Sequence, residues 1–259
     1  QGIRSPPPAR AAVAPSSRGI LMAPAMELDA RWRRLCADLG VRSDMVEKWW
    51  TLISAAYQDP SRHYHTLTHL QELLGNVDDF IDSLHDVSAV ELAIFFHDVV
   101  YNPRSTGGKN EDDSAVVFSK FAQDVNLAPA TRIAKIFRWI VQTKHHRCEE
   151  EDEMDCKLFM DFDMAVLGWE RSAYTKYTQQ VRREFKHVPE GIWCSARAQF
   201  LEATAAGPAI FASLPFRDRY EESARENMRW EANELRCAYA GLGLAAKLVA
   251  RTFKGLQRH

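Results

Sequence analysis

Four side chains in this sequence have types and places suited to holding a metal ion: His69, His97, Asp98 and an aspartate of the Asp161-Phe162-Asp163 pair. The first clue is His97-Asp98, which closes the apolar run Leu92-Ala93-Ile94-Phe95-Phe96. Neighbouring side chains on a helix diverge by about 100°, so both cannot face one core. Burying either without a partner would cost roughly 2–7 kcal/mol for a neutral polar group, and more for a charge. A cation resolves the conflict, because imidazole nitrogen and carboxylate oxygen can converge on it. Two imidazoles and two carboxylates suit Mn²⁺, Fe²⁺, Co²⁺, Ni²⁺, Zn²⁺ or Mg²⁺ rather than a thiolate-loving ion. With only four protein donors, an octahedral ion keeps positions open for water and substrate, as a catalytic site requires.

The elements that must position these residues read as helices. Met45, Trp49, Leu52, Ile53 and Ala56 share one helical face, with Ser43 as its expected cap. The turn Asp59-Pro60-Ser61 ends that helix. A second is expected from Leu67 to Gly75, carrying His69. Ser88-Ala89-Val90-Glu91 has the form of a capping box and predicts a helix with His97 and Asp98 in its last turns. The breaker-rich Asn102–Gly108 segment must be a loop. Further helices are expected at 111–125, 130–143, 170–186, 192–206 and 217–240. Strand signals and internal repeats are absent, so the expected fold is one all-α domain over residues 27–259.

Composition narrows the options further. The chain has 259 residues, 46% apolar and 26% charged, with a formal net charge of −2, which leaves no basic footprint for nucleic acid. No apolar stretch reaches the length of about 18 residues that spans a bilayer. Five cysteines (36, 148, 156, 194 and 237) form no C-x-x-C pair, which suits free thiols in a reducing compartment. Residues 1–26 carry Arg4, Arg10 and Arg18 and no acid, and read as a disordered leader. A cytoplasmic location is expected, with mitochondrial or other organellar import if that leader is a transit remnant. Its Pro6-Pro7-Pro8 run argues against an amphipathic targeting helix.

Six ordered segments resemble an uncharacterised branch of the HD-domain superfamily of metal-dependent phosphohydrolases. They are Arg62-His63-Tyr64-His65…His69, Phe96-His97-Asp98…Tyr101, Asn110-Glu111…Ser114-Ala115, Thr143…His146, Phe159…Asp161…Asp163…Leu167-Gly168 and Tyr174…Tyr177…Arg182…Glu184-Phe185. The resemblance spans roughly residues 28–236. It departs from the branch at Lys109, often Asp there, at the Gly107-Gly108 insertion and at the acidic run Glu149–Glu153. It implies an HD-domain helical bundle that binds one divalent ion through His69, His97, Asp98 and Asp163, with Asp161 behind the ligands or capping a helix.

The implied activity is hydrolysis of a phosphoester or phosphoanhydride in a nucleotide or another small phosphorylated metabolite. Glu111, beside the loop over the metal, is the expected general acid/base. Lys144, Arg62 and His65 are expected to meet phosphate oxygens. His65 and His69, at i and i+4, would share a helix face, so His65 is a substrate contact or a fifth ligand. His146 could play either part. Tyr64 and Tyr101 either wall the pocket or pack, while Arg182, Glu184 and Arg197 are expected to form one ion network. Two other readings remain open: a di-iron oxygenase of the same fold, for which only His145 and His146 could add ligands, and a nucleotide-binding module without turnover. The apolar faces of the last helices could supply a homodimer surface.

Overall fold

A computed structural model describes the backbone of residues 24–256 and the side chains of residues 25–238 and 240. Most of the expected leader lies outside these residues. The elements are α1 Pro24–Asp38, α2 Ser43–Tyr57, α3 Leu67–Asp79, α4 Val87–Phe96, α5 Lys109–Asp124, α6 Ala130–Gln142, α7 Met154–Met164, α8 Arg171–Glu184, α9 Glu190–Ala206 and α10 Leu214–Leu256. Single 3₁₀ turns sit at Ile81–Ser83 and Ala165–Gly168. No strand occurs among the described residues, and none of their helices is long and apolar enough to cross a membrane. The fold is all-α.

Every residue of α4 from Ala89 to Phe96 is buried. A helix that is apolar on all sides must be packed on all sides, and α3, α5, α6 and α7 each lie against it. Trp32 of α1, Trp49 of α2 and Phe121 of α5 close on Phe96, with ring centroids 6.1, 5.9 and 5.1 Å away. The one charge in α4, Glu91, meets Arg31 of α1 at 2.7 Å, which offsets the cost of burying a lone carboxylate.

Helix ends differ from expectation in instructive ways. Arg42, not Ser43, occupies the cap position of α2, and Ser43 lies inside the first turn. Asp86, not Ser88, caps α4, its carboxylate accepting from the Ala89 amide at 3.1 Å. An Asp three residues before that amide reaches a free donor, whereas Ser88 is already helical. Helix α4 stops at Phe96, so His97 is its last half-helical residue and Asp98 lies beyond it. Helix α3 begins at Leu67, which leaves His65 outside the helix that carries His69. Helices α1 and α7 lie in stretches whose apolar pattern sets no separate boundaries.

The second 3₁₀ turn joins the site-bearing half of the chain to α10. Asn227 donates to the carbonyls of Leu167 (2.8 Å) and Trp169 (2.9 Å), and the Ser223 hydroxyl donates to Gly168 O at 2.8 Å. A Cβ on Gly168 would stand 2.5 Å from Tyr220 Cβ, an atom fixed to its own helix. Gly168→Ala is therefore expected to destabilise the protein by about 1–3 kcal/mol through overpacking. Urea unfolding checks this, as a lower midpoint at unchanged slope.

Candidate metal centre

Three side chains from three different helix ends meet in the core. His69 comes from the first turn of α3, His97 from the cap of α4 and Asp163 from the last turn of α7. His69 Nε2 lies 3.3 Å from His97 Nε2 and 3.1 Å from Asp163 Oδ1, and His97 Nε2 lies 3.8 Å from that oxygen. Asp98 stands at the edge, its Oδ2 3.2 Å from His97 Nε2 and 4.0 Å from His69 Nε2. Both imidazoles are 1% exposed.

The donor set fits a divalent cation. His97 Nδ1 lies 2.8 Å from Ile94 O, and a carbonyl only accepts, so Nδ1 carries a proton. With Nδ1 so held, Nε2 is the nitrogen that faces His69, and a metal ion would take the place of its proton; that pairing on the far nitrogen is how metal-ligating histidines are normally held. Bonds of about 2.0–2.1 Å let two imidazole nitrogens share one ion at any separation up to about 4 Å. His69 Nδ1 is buried with no partner, so its ring is held through Nε2 alone.

Electrostatics agree with a site built to receive positive charge. Burial pulls His97 toward its neutral form, but the carboxylates of Asp98 and Asp163 outweigh it and lift its pKa to about 9. Burial raises Asp98 and Asp163, yet the surrounding histidines win and hold both carboxyls below the usual range. His69 shifts the other way, because its burial outweighs Asp163. Two ionised carboxylates thus draw positive charge into a largely buried pocket, and the His97 proton occupies the place that a metal ion would take.

A second ring of residues fixes the first. His146, just after α6, has φ +49°, a left-handed conformation that disfavours a side-chain-bearing residue. The reversal brings its Nε2 to 2.7 Å from Asp163 Oδ2, so His146 holds the oxygen that His69 does not. Asp161 points away from the centre, since positions two apart on a helix lie about 200° apart. It accepts from the amides of Ala212 (2.6 Å) and Ser213 (2.8 Å), just ahead of α10.

Sequence reasoning understated Glu184. Its Oε1 accepts from the amides of His63, Tyr64 and His65 at 2.6, 2.7 and 3.1 Å. Its Oε2 lies 2.8 Å from both His65 Nδ1 and the Tyr101 hydroxyl. Burial alone would raise this carboxyl, but His65 and the amides bring its pKa down to about 2. The expected Arg182–Glu184–Arg197 network is replaced by three separate sets: Arg182 pairs with Glu190 (2.7 Å) and Arg197 with Glu231 (3.1 Å). The late Tyr-x-x-Tyr segment was the available signal, although only a fold brings residue 184 to residue 65.

The other named residues divide by what they touch. With Nδ1 held by Glu184, His65 presents Nε2 to Asp98 Oδ2 at 3.9 Å. Its ring stacks on Tyr101 at 4.2 Å, and Tyr64 packs between His69 (4.9 Å) and Tyr177 (4.7 Å). Arg62 departs from the expected phosphate contact. Its guanidinium donates to the carbonyls of Asp98 (2.7 Å), Val99 (3.1 Å) and His65 (3.3 Å), so it clamps the chain leaving His97.

Helix α5 is tied to the same stretch. Asn110 exchanges two 3.1 Å bonds with the Asn102 backbone, and the Ser114 hydroxyl bonds both Val100 N and Val100 O. Glu111 sits between these clamps, with Oε2 buried and unpartnered. Lys144 crosses the start of α5, where Gly108 (φ +72°) leaves room for its aliphatic chain, and its ammonium meets Asp112 at 2.6 Å.

No family profile and no curated protein matches this chain.

Glu72, one turn after His69 on α3, was missed because nothing near it in sequence marks it. Burial pushes its carboxyl up to about 7, against the pull of Lys176. A carboxyl whose folded pKa exceeds its unfolded value stabilises the fold below the unfolded pKa, and that contribution disappears as pH rises through the folded one. Glu72→Gln is therefore expected to lose less thermal stability than the parent between pH 5 and pH 8. Melting curves across that range check it, and parallel losses would exclude the ionisation.

Proposed function

We propose that this chain is a metal-dependent phosphohydrolase of the HD-domain superfamily, acting on a phosphoester or phosphoanhydride of a nucleotide or another small phosphorylated metabolite. The supporting observation is the facing pair of imidazole nitrogens at 3.3 Å, with Asp163 Oδ1 3.1 Å from one of them. His69, His97, Asp98 and Asp163 would hold the ion. Bound there, a divalent cation would acidify water and polarise a phosphoryl oxygen.

The chain's own residues supply the rest. Asp98 and Asp163 provide the negative charge that draws the cation in, and His146 keeps Asp163 aimed. Glu111, with one carboxylate oxygen unpartnered, takes the proton of the attacking water and returns one to the leaving oxygen. Lys144 neutralises phosphate oxygens by leaving Asp112, a half-exposed partner that holds it weakly. Glu184 accepts from His65 Nδ1. Burial disfavours the His65 imidazolium, but Asp98 and Glu184 outweigh it, so Nε2 carries a proton to donate as well. Arg62 stays with its carbonyls and keeps the His97-Asp98 backbone in place.

The test is a phosphatase screen over nucleotides and small phosphorylated metabolites with Mn²⁺, Co²⁺, Ni²⁺ and Mg²⁺ supplied separately to metal-stripped protein. Release of phosphate is expected to need the metal and to fall more than about 100-fold in Asp98→Ala. Undiminished release by metal-stripped Asp98→Ala would refute the proposal. Two irons per chain with oxygen uptake would favour the oxygenase reading, and nucleotide binding without turnover the binding module.

A further inference from the structure

Away from the histidines, two thiols lie side by side. Cys148, in the segment between α6 and α7, has its sulfur 4.0 Å from that of Cys156 in the first turns of α7. We propose that Cys148 and Cys156 form a peroxide-oxidisable dithiol that closes to an intramolecular disulfide.

The intervening loop is already folded to hold the pair together. Gln142 donates to Arg147 O and to Asp152 Oδ2, both at 2.8 Å, and Asp152 Oδ2 also accepts from the Glu149 amide at 2.8 Å. Arg138 pairs with Asp152 Oδ1 at 3.0 Å, and Lys157 donates to Glu150 O at 2.7 Å. The acidic run is thus stapled at both ends, with the two sulfurs in van der Waals contact. A disulfide needs them about 2 Å closer.

The same contacts argue against a metal between the thiols. Both oxygens of Asp152 are engaged by Arg138, Gln142 and the Glu149 amide, which leaves two sulfurs, short of the four donors of a closed thiolate site. The two thiols are also unequal. Cys148 is half-exposed and Cys156 is buried. The Cys148 contact and burial together raise the pKa of Cys156, which suits a resolving thiol rather than an attacking one.

The chemistry balances with hydrogen peroxide as oxidant. The Cys148 thiolate attacks one peroxide oxygen, the O–O bond breaks, and after proton transfer a sulfenic acid and one water result. The Cys156 sulfur then attacks the sulfenic sulfur, forming S–S as the S–O bond breaks and a second water leaves with the Cys156 proton. Two thiols are oxidised and one peroxide is reduced to two waters.

Trypsin cleavage after Arg147 and Lys157 releases residues 148–157 with both cysteines in one peptide. The full chain carrying Cys237→Ser, which removes the exposed thiol, is treated with hydrogen peroxide, blocked with a maleimide and digested. The expected product is that peptide, unblocked and lighter by two hydrogens, and restored by dithiothreitol. In Cys156→Ser the sulfenic acid on Cys148 should persist and be trapped by dimedone. Two maleimide-blocked cysteines after peroxide, oxidation of Cys148 to a sulfinic acid without a link, or thiols that only a chelator unmasks would each overturn the proposal. The readout is the thiols themselves, so it stands apart from any activity at the histidine centre.

Discussion

From Ala89 to Phe96 helix α4 has no solvent face, and that constraint organises the protein. A helix whose last eight residues are all buried cannot shift without opening cavities on several sides, and densely packed interiors resist this. His97 sits at its end and inherits that immobility. Such rigidity lets two imidazole nitrogens be held 3.3 Å apart.

Around this fixed point the chain uses carboxylates as fasteners. Glu184 gathers three consecutive amides, an imidazole and a phenol, and so shapes the 63–65 turn from across the molecule. Asp163 divides its two oxygens between His69 and His146. Arg62 works in the opposite sense, a cation spent on carbonyls. The polar groups beneath the site mostly bind the backbone, which fixes the position of the few that face inward.

The helical class was legible in the sequence because α2, α3 and α4 carry strong apolar patterns and breakers punctuate the loops. Helix caps were less legible. Asp86 and Ser88 are both good capping residues, and only the geometry of the first free amide chooses between them. Of the site, His69, His97, Asp98 and one aspartate of the Asp161/Asp163 pair could be named from residue type and order, and the resemblance pointed to Asp163. Side-chain direction around α7 separates the two, with Asp163 toward the histidines and Asp161 toward the amides ahead of α10. Arg62 and Glu184 were read incompletely because partners that define their roles lie 36 and 121 residues away, and Glu72 was missed because its buried surroundings have no sequence signature.

Helix α7 serves two masters. On one side Asp163 faces the imidazoles, and on the opposite side Asp161 grips the amides that open α10. A short helix pinned on both faces behaves as a tie rod between the early bundle and the late helical pair. The centre therefore has no minimal version: a fragment ending before residue 212 would keep every inward-facing side chain yet leave Asp161 buried without the amides it grips. Transplanting the four inward-facing residues into another bundle would have to bring that remote anchor as well.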